Sequence, residues 1–225
     1  MTAEGRAPVE HRVTVERSAR VYTLGDAQAG DVWVVLHGYG QLAARFITHF
    51  AVIAVPERLV VAPEALNRFY FELPRVGGPP AAERRVGTTW MTREDREAEI
   101  ADYVAYLDRM LPVVAPNARN VTLLGFSQGV ATACRWAALG STPVHRLILW
   151  AGPIPPDLDL QLLANRLGDV RVDFVIGERD PIGVGGELEK QLDALEQAGI
   201  RSEVTQFQGG HTLDAGVLTQ LASPA

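Results

Sequence analysis

The sequence predicts an α/β fold, a mostly parallel sheet with helices on both faces. Three observations carry this. The chain has 225 residues, of which 47% are hydrophobic, enough for one α/β core and short for two. Its apolar residues fall into short runs of Val, Ile and Leu that alternate with longer stretches repeating every three or four positions. The short runs read as buried strands and the longer ones as amphipathic helices. Turns containing Gly or Pro separate them, and strand–helix alternation of this kind builds a parallel sheet covered on both sides.

Taken in chain order, Val9, Val13 and Val15 share one side of an alternating segment and suggest an edge strand, so residues 1–25 are expected to supply N-terminal edge strands. Residues 32–36 are a buried strand. A helix over about 42–52 places Leu42, Phe46, Ile47 and Phe50 on one face, and 59–62 is the next strand. Residues 63–91 hold prolines, glycines and a run of aromatics with no helical period. Long connections in a small domain are functional or disordered, and the aromatics favour an ordered loop over the C-terminal edge of the sheet, where such folds bind ligands.

Thr92 and Asp95 have the spacing of a capping box. Ile100, Tyr103, Val104, Leu107, Met110 and Leu111 then follow at helical steps, and Pro112 is expected to close that helix. Residues 121–126 are a strand leading into a helix rich in small residues, Ala131, Ala133, Ala137 and Ala138. Strands follow at 146–150 and 172–176. A helix over 186–198 carries Leu188, Leu192 and Leu195 and stops at Gly199. A last strand at 203–207 precedes a short C-terminal helix. The whole reads as a single domain over 1–225.

Charge excludes several function classes. Twenty-one basic and 27 acidic residues give a net charge of −6, which argues against an electrostatically driven nucleic-acid binder. The one cysteine, Cys134, cannot form an internal disulfide or build a cysteine zinc site, and it suits a reducing cytoplasm. The opening residues lack the apolar run of a signal segment, and no stretch is long enough for a membrane span. No His or carboxylate pair has metal-ligand spacing on a helix, so no metal site is expected. A cytoplasmic protein is expected. The sequence is compatible with a homodimer and does not fix the oligomeric state.

The chemistry is carried by Gly125-Phe126-Ser127-Gln128-Gly129, between a strand and a helix. In this G-x-S-x-G pattern the serine sits on a strained strand-to-helix turn, and glycine on either side removes Cβ atoms that would clash. His37-Gly38-Tyr39-Gly40 follows the strand 32–36, where a second oxyanion donor belongs. The two donors would be the backbone N–H groups of Tyr39 and Gln128. His211, in Gly209-Gly210-His211-Thr212 after the last strand, is the best-placed base for Ser127. His49 shares the polar helix face with Arg45, His11 and His145 sit at strand starts, and His37 is better suited to fixing the oxyanion loop. The acid should follow the strand 172–176, and Asp180 is preferred to Glu178 because it lies further out in the turn with Pro181 behind it. The order Ser127, Asp180, His211 is that of the α/β-hydrolase triad. Phe69, Tyr70, Phe71 and Trp90 are candidates for the acyl pocket, with a core role equally open for some of them.

These motifs, together with Pro63-Glu64-Ala65, Arg68-Phe69-Tyr70 and Trp90-Met91, resemble the carboxylesterase/phospholipase-type α/β-hydrolases that include the acyl-protein thioesterases. The resemblance spans roughly residues 30–220. It implies a serine esterase or thioesterase that needs no cofactor and has no large lid domain. Its substrate would be a small acyl ester or thioester of short to medium chain length, cleaved through an acyl-enzyme. Two departures stand out: Val130 where many members have a further glycine, and Met91-Thr92 where many have an aromatic residue and Asp. A non-catalytic binding protein on the same fold, or an acyltransferase or peptidase using the same triad, are the alternatives.

Overall fold

A computed structural model describes residues 8–73, 78–182 and 186–223. The expected N-terminal segment at 1–7 and the part of the long connection at 74–77 lie outside the described residues. Seven strands form one sheet: β1 (Val21–Leu24), β2 (Asp31–Leu36), β3 (Arg58–Pro63), β6 (Asn120–Phe126), β7 (Arg146–Trp150), β8 (Val172–Gly177) and β9 (Ser202–Phe207). A separate two-stranded ribbon pairs β4 (Asn67–Tyr70) with β5 (Val86–Thr89). The sheet order is β1-β3-β2-β6-β7-β8-β9. Only β1 is antiparallel to its neighbour; every other pair is parallel.

The strands at the centre are buried along almost their whole length and mostly apolar, because both their faces are covered. Val32, Val34 and Leu36 face one core with Leu123 and Leu147. Trp33 and Val35 face the other with Leu124 and Ile148. Against the first core pack α2 (Arg96–Val114), α3 (Gln128–Leu139) and α4 (Leu160–Leu167), together with leucines of α5 (Gly186–Gln197). Against the second lie α1 (Ala43–Phe46), the 3-10 turns that continue it, and α6 (Ala215–Ala222). The six apolar positions expected on the α2 face, from Ile100 to Leu111, are all buried. Among the described residues no helix is long and apolar enough to cross a membrane.

Four local expectations are corrected. Val9, Val13 and Val15 form no strand and stay 76%, 82% and 74% exposed; alternation without a partner edge does not hold a strand, and the antiparallel edge is β1. Residues 63–91 are not a plain loop, since their two ends pair as the β4–β5 ribbon. The capping box at Thr92 does not form. Helix α2 begins later, after an Asp95 with φ 46° that makes no side-chain cap, and the Thr92 N–H donates to Glu99 instead. Pro112 lies inside α2 rather than ending it. Near a helix end a proline deletes one hydrogen bond, and the turn survives through the Ala115 N–H to Leu111 carbonyl bond of 2.8 Å. Helix α4 has no counterpart in the sequence reading; its start is capped by the Asp159 carboxylate, which accepts from the Gln161 and Leu162 N–H groups.

Candidate active site

Ser127 stands between β6 and α3 with φ 55° and ψ −117°. Few non-glycine residues adopt such angles, and the surroundings enforce them. The Ser127 N–H donates to the Trp150 carbonyl at 2.9 Å, and its own carbonyl accepts from the Val130 N–H at 3.0 Å. A Cβ at position 125 would lie 2.4 Å from the Gly129 carbonyl oxygen, and one at 129 would lie 2.2 Å from that of Leu36. The two glycines thus let α3 rise directly off the strand ends, lifting the serine hydroxyl to the C-terminal edge of the sheet.

His211 and Asp180 reach that point from the next strands. The Ser127 Oγ is 2.9 Å from His211 Nε2, and His211 Nδ1 is 2.9 Å from Asp180 Oδ2. With the proton on Nδ1 donated to the carboxylate, Nε2 is left to accept from the hydroxyl. Asp180 is fully buried, and its second oxygen accepts the Ile182 N–H at 2.9 Å. Glu178 is exposed and is held by Gln208. The turns after β8 and β9 lie against each other through the Arg179 N–H to Gly209 carbonyl bond of 2.8 Å. A Cβ at Gly177 would meet the Gly210 carbonyl oxygen at 2.5 Å, so that approach needs a glycine.

The loop after β2 is built around a buried imidazole. His37 Nδ1 donates to the Gly38 carbonyl at 2.8 Å, and Nε2 accepts the Ala65 N–H at 3.1 Å. Its carbonyl accepts the Trp90 indole N–H at 2.8 Å. The Gly38 N–H is taken by Gln41 Oε1 at 2.7 Å, and the Gly40 N–H by the Thr88 carbonyl at 2.8 Å. The Tyr39 N–H between them has no protein acceptor among the described residues, and neither has the Gln128 N–H. Gly38 brings this loop onto the serine: a Cβ there would sit 3.1 Å from that of Ser127. The Gln128 side chain ties the end of β5 to the elbow, through Thr89 Oγ1 at 2.9 Å and the Met91 carbonyl at 3.0 Å.

Burial lowers the His37 pKa from the ordinary 6.5 to about 4. The unfolded chain therefore takes up a proton near 6.5 that the folded chain refuses until about 4. Stability must fall as the pH drops through that window. The expected loss is of the order of 3 kcal/mol between those limits. Urea unfolding at stepped pH measures it, and the His37→Gln variant should show a shallower slope. An equal slope in both proteins would remove His37 as its origin.

A cleft of about 450 Å3 opens at Ser127. One wall is α3, through Gln128, Ala131 and Arg135; the other is the segment after β7, from Ala151 to Asp157, and Ile182 also lines it. Ala151 takes φ 55° there, held by its N–H to the Val175 carbonyl at 2.9 Å. The far end is ionic. Asp157 pairs with Arg96 at 2.5 Å and with Arg135 at 3.0 Å, and the Arg96 hydrogen bond is the main cause that holds its carboxyl down to about 2.

The aromatics expected to form the acyl pocket do not line this cleft. Trp90 is buried against His37 and Tyr103 and acts as a packing residue. Phe69 stacks on Tyr39 and meets Phe71 edge-on, both at 5.1 Å between centroids, on the ribbon side of the loop after β2. Tyr70 is half exposed beneath the Arg84 guanidinium. Sequence reasoning missed the wall formed by residues 151–157 and the pair Arg96 and Arg135. Two signals pointed to them: the prolines at 153, 155 and 156 directly after a strand's C-terminal end, and the position of Arg135 two helical turns beyond Ser127 on the face that carries Ala131.

A family model described as serine hydrolase (FSH1) matches residues 34–215. No curated protein sequence matches the chain. Many solved structures share its fold. Esterase PE8 is 24% identical with a TM-score of 0.65, over 92% of this chain and 97% of that one. A carboxylesterase from Mesorhizobium loti is 19% identical with a TM-score of 0.67, over 92% and 94%. Acyl-protein thioesterase 2 from Zea mays is 16% identical with a TM-score of 0.67, over 91% and 96%.

Proposed function

The chain belongs to the FSH1 serine hydrolase family, and from that premise we propose that it cleaves carboxylic esters or thioesters of short to medium acyl chains through an acyl-enzyme on Ser127. The observation that carries the reading is the unbroken relay from the Ser127 hydroxyl through His211 to buried Asp180, two hydrogen bonds of 2.9 Å at the mouth of the cleft.

Ser127 Oγ attacks the carbonyl carbon while His211 Nε2 takes its proton. Asp180 keeps the imidazole in the tautomer that can accept and supports the charge it then carries. The carbonyl oxygen becomes an oxyanion between the Tyr39 and Gln128 N–H groups. Donors fixed in advance at such a point contribute about 3 kcal/mol each to the transition state. The bond to the leaving group breaks, and His211 returns the proton to the departing alcohol or thiol. Water, deprotonated by the same imidazole, then attacks the acyl carbon and releases the acid and Ser127. The open cleft supports substrates met singly in solution, and the lone buried Cys134 favours a reducing compartment such as the cytoplasm.

A panel of p-nitrophenyl esters of increasing chain length, with a matched acyl thioester, tests the substrate class. The expected kcat/KM passes through a maximum at short or medium chains, with a smooth dependence on concentration. A sharp rise once substrate exceeds its solubility would point to a lipid–water interface instead.

A further inference from the structure

The ionic end of the cleft plays no part in the hydrolytic steps. Arg135 is almost fully buried, its side chain 6% exposed. A buried guanidinium ordinarily spends its donors on several acceptors. Here one terminal nitrogen meets Asp157 at 3.0 Å and the other reaches only the Met91 thioether at 3.2 Å. Its Nε–H is buried beside the Tyr103 hydroxyl, and neither atom makes a well-formed hydrogen bond. Arg96, one-third exposed, leans on the other oxygen of the same carboxylate. Two cations thus share the Asp157 carboxylate, and Glu97 acts on Arg96 through charge alone, without a hydrogen bond.

The position of this pole relative to the nucleophile follows from the helix. Arg135 is eight residues beyond Ser127, about 12 Å along the axis, and helical side chains lean back toward the N-terminus. The guanidinium therefore overhangs the path from Ser127 past Ala131. Which part of a substrate lies on that path is set by His211. The leaving group must sit near Nε2 to receive its proton, and His211 does not line the cleft. The arm in the cleft is the acyl chain.

We propose that Arg135 and Arg96 form a carboxylate subsite, so that the preferred substrate is an ester or thioester whose acyl chain ends in an acid group. This rests on the hydrolase reading above and adds the chemical class of its acyl chain. The terminal carboxylate offers the terminal nitrogens of Arg135 a stronger acceptor than the Met91 thioether, and adds an anion beside the second guanidinium. The Ala131 and Ile154 surfaces between serine and arginine cover the methylenes.

The test compares p-nitrophenyl half-esters of succinic, adipic and suberic acids with the same compounds capped as methyl esters. At neutral pH wild type should favour the acid-ended member of the best pair by at least about tenfold in kcat/KM, the effect of one charge-assisted contact. Arg96→Met and Arg135→Met should bring the ratio toward unity. Asp157→Asn, which removes the competing anion, should raise it; general damage to the cleft would not move the two kinds of variant in opposite directions. Calorimetric titration of Ser127→Ala with monomethyl and dimethyl adipate reads the subsite without turnover, and the acid should bind more tightly. Equal or better handling of the capped esters, or a ratio indifferent to both arginines, overturns the subsite. Hydrolysis of p-nitrophenyl butyrate by wild type separates that outcome from failure of the hydrolase reading, because this ester never reaches the arginines with a charge.

Discussion

Ser127→Ala is expected to lose about a millionfold in kcat, the scale on which another serine hydrolase responds to loss of its nucleophile. That is about 8 kcal/mol of barrier. The variant should fold, because alanine keeps the backbone bonds to Trp150 and Val130 and deletes only the hydroxyl that faces His211. A fluorophosphonate probe should add to wild type once, at Ser127, as read by peptide mass spectrometry, and should leave the variant unmodified. An adduct on any other residue, or ester turnover by the alanine protein near the wild-type rate, would withdraw the nucleophile assignment.

Asp180→Asn should cost about 10⁴ in kcat, in line with the same change in another serine hydrolase. The isosteric amide fits the buried pocket, but its two ends are no longer equivalent. The Ile182 N–H claims the carbonyl oxygen, as it now claims Oδ1. The amide NH2 then faces His211 Nδ1, which must accept, and the imidazole proton moves to the nitrogen beside Ser127. The base is turned around. Glu178→Gln should cost less than about tenfold, a peripheral effect of 1.4 kcal/mol or less, because that side chain is exposed and engages Gln208. The two variants compared at matched thermal stability decide between the carboxylates, and the reverse ranking would give the acid role to Glu178.

The sheet was legible because buried parallel strands leave a strong mark. Residues 32–36 are apolar on both faces, and 121–126 and 172–176 are so except for Thr122 and Asp173, a pattern that surface chain seldom shows. The α/β-hydrolase layout followed from their order. The candidate elbow was legible for a different reason: its turn needs glycine at 125 and 129 whatever the rest of the chain does. What escaped depends on contacts distant in sequence. Thr92 could have capped α2 locally, but Glu99 reached its N–H first. Trp90 reads as a pocket aromatic until its indole N–H is seen to donate to the His37 carbonyl. The cleft wall after β7 has no residue with a chemical signature except Asp157, and Asp157 acquires meaning only when Arg96 and Arg135 arrive from two different helices.

The serine at the elbow has a further consequence, for how such a chain can change over generations. With φ 55° and ψ −117°, position 127 is where glycine would rest more easily than any residue with a side chain. The chain is therefore least at ease where it is most useful, and the shortest route to a sturdier molecule passes through loss of its hydroxyl. On the proposed reading of Ser127 as the nucleophile, demand for the reaction keeps that route closed. A descendant released from that demand, and kept for holding a ligand rather than cutting one, would be drawn toward glycine at this position before the imidazole or the carboxylate had reason to drift.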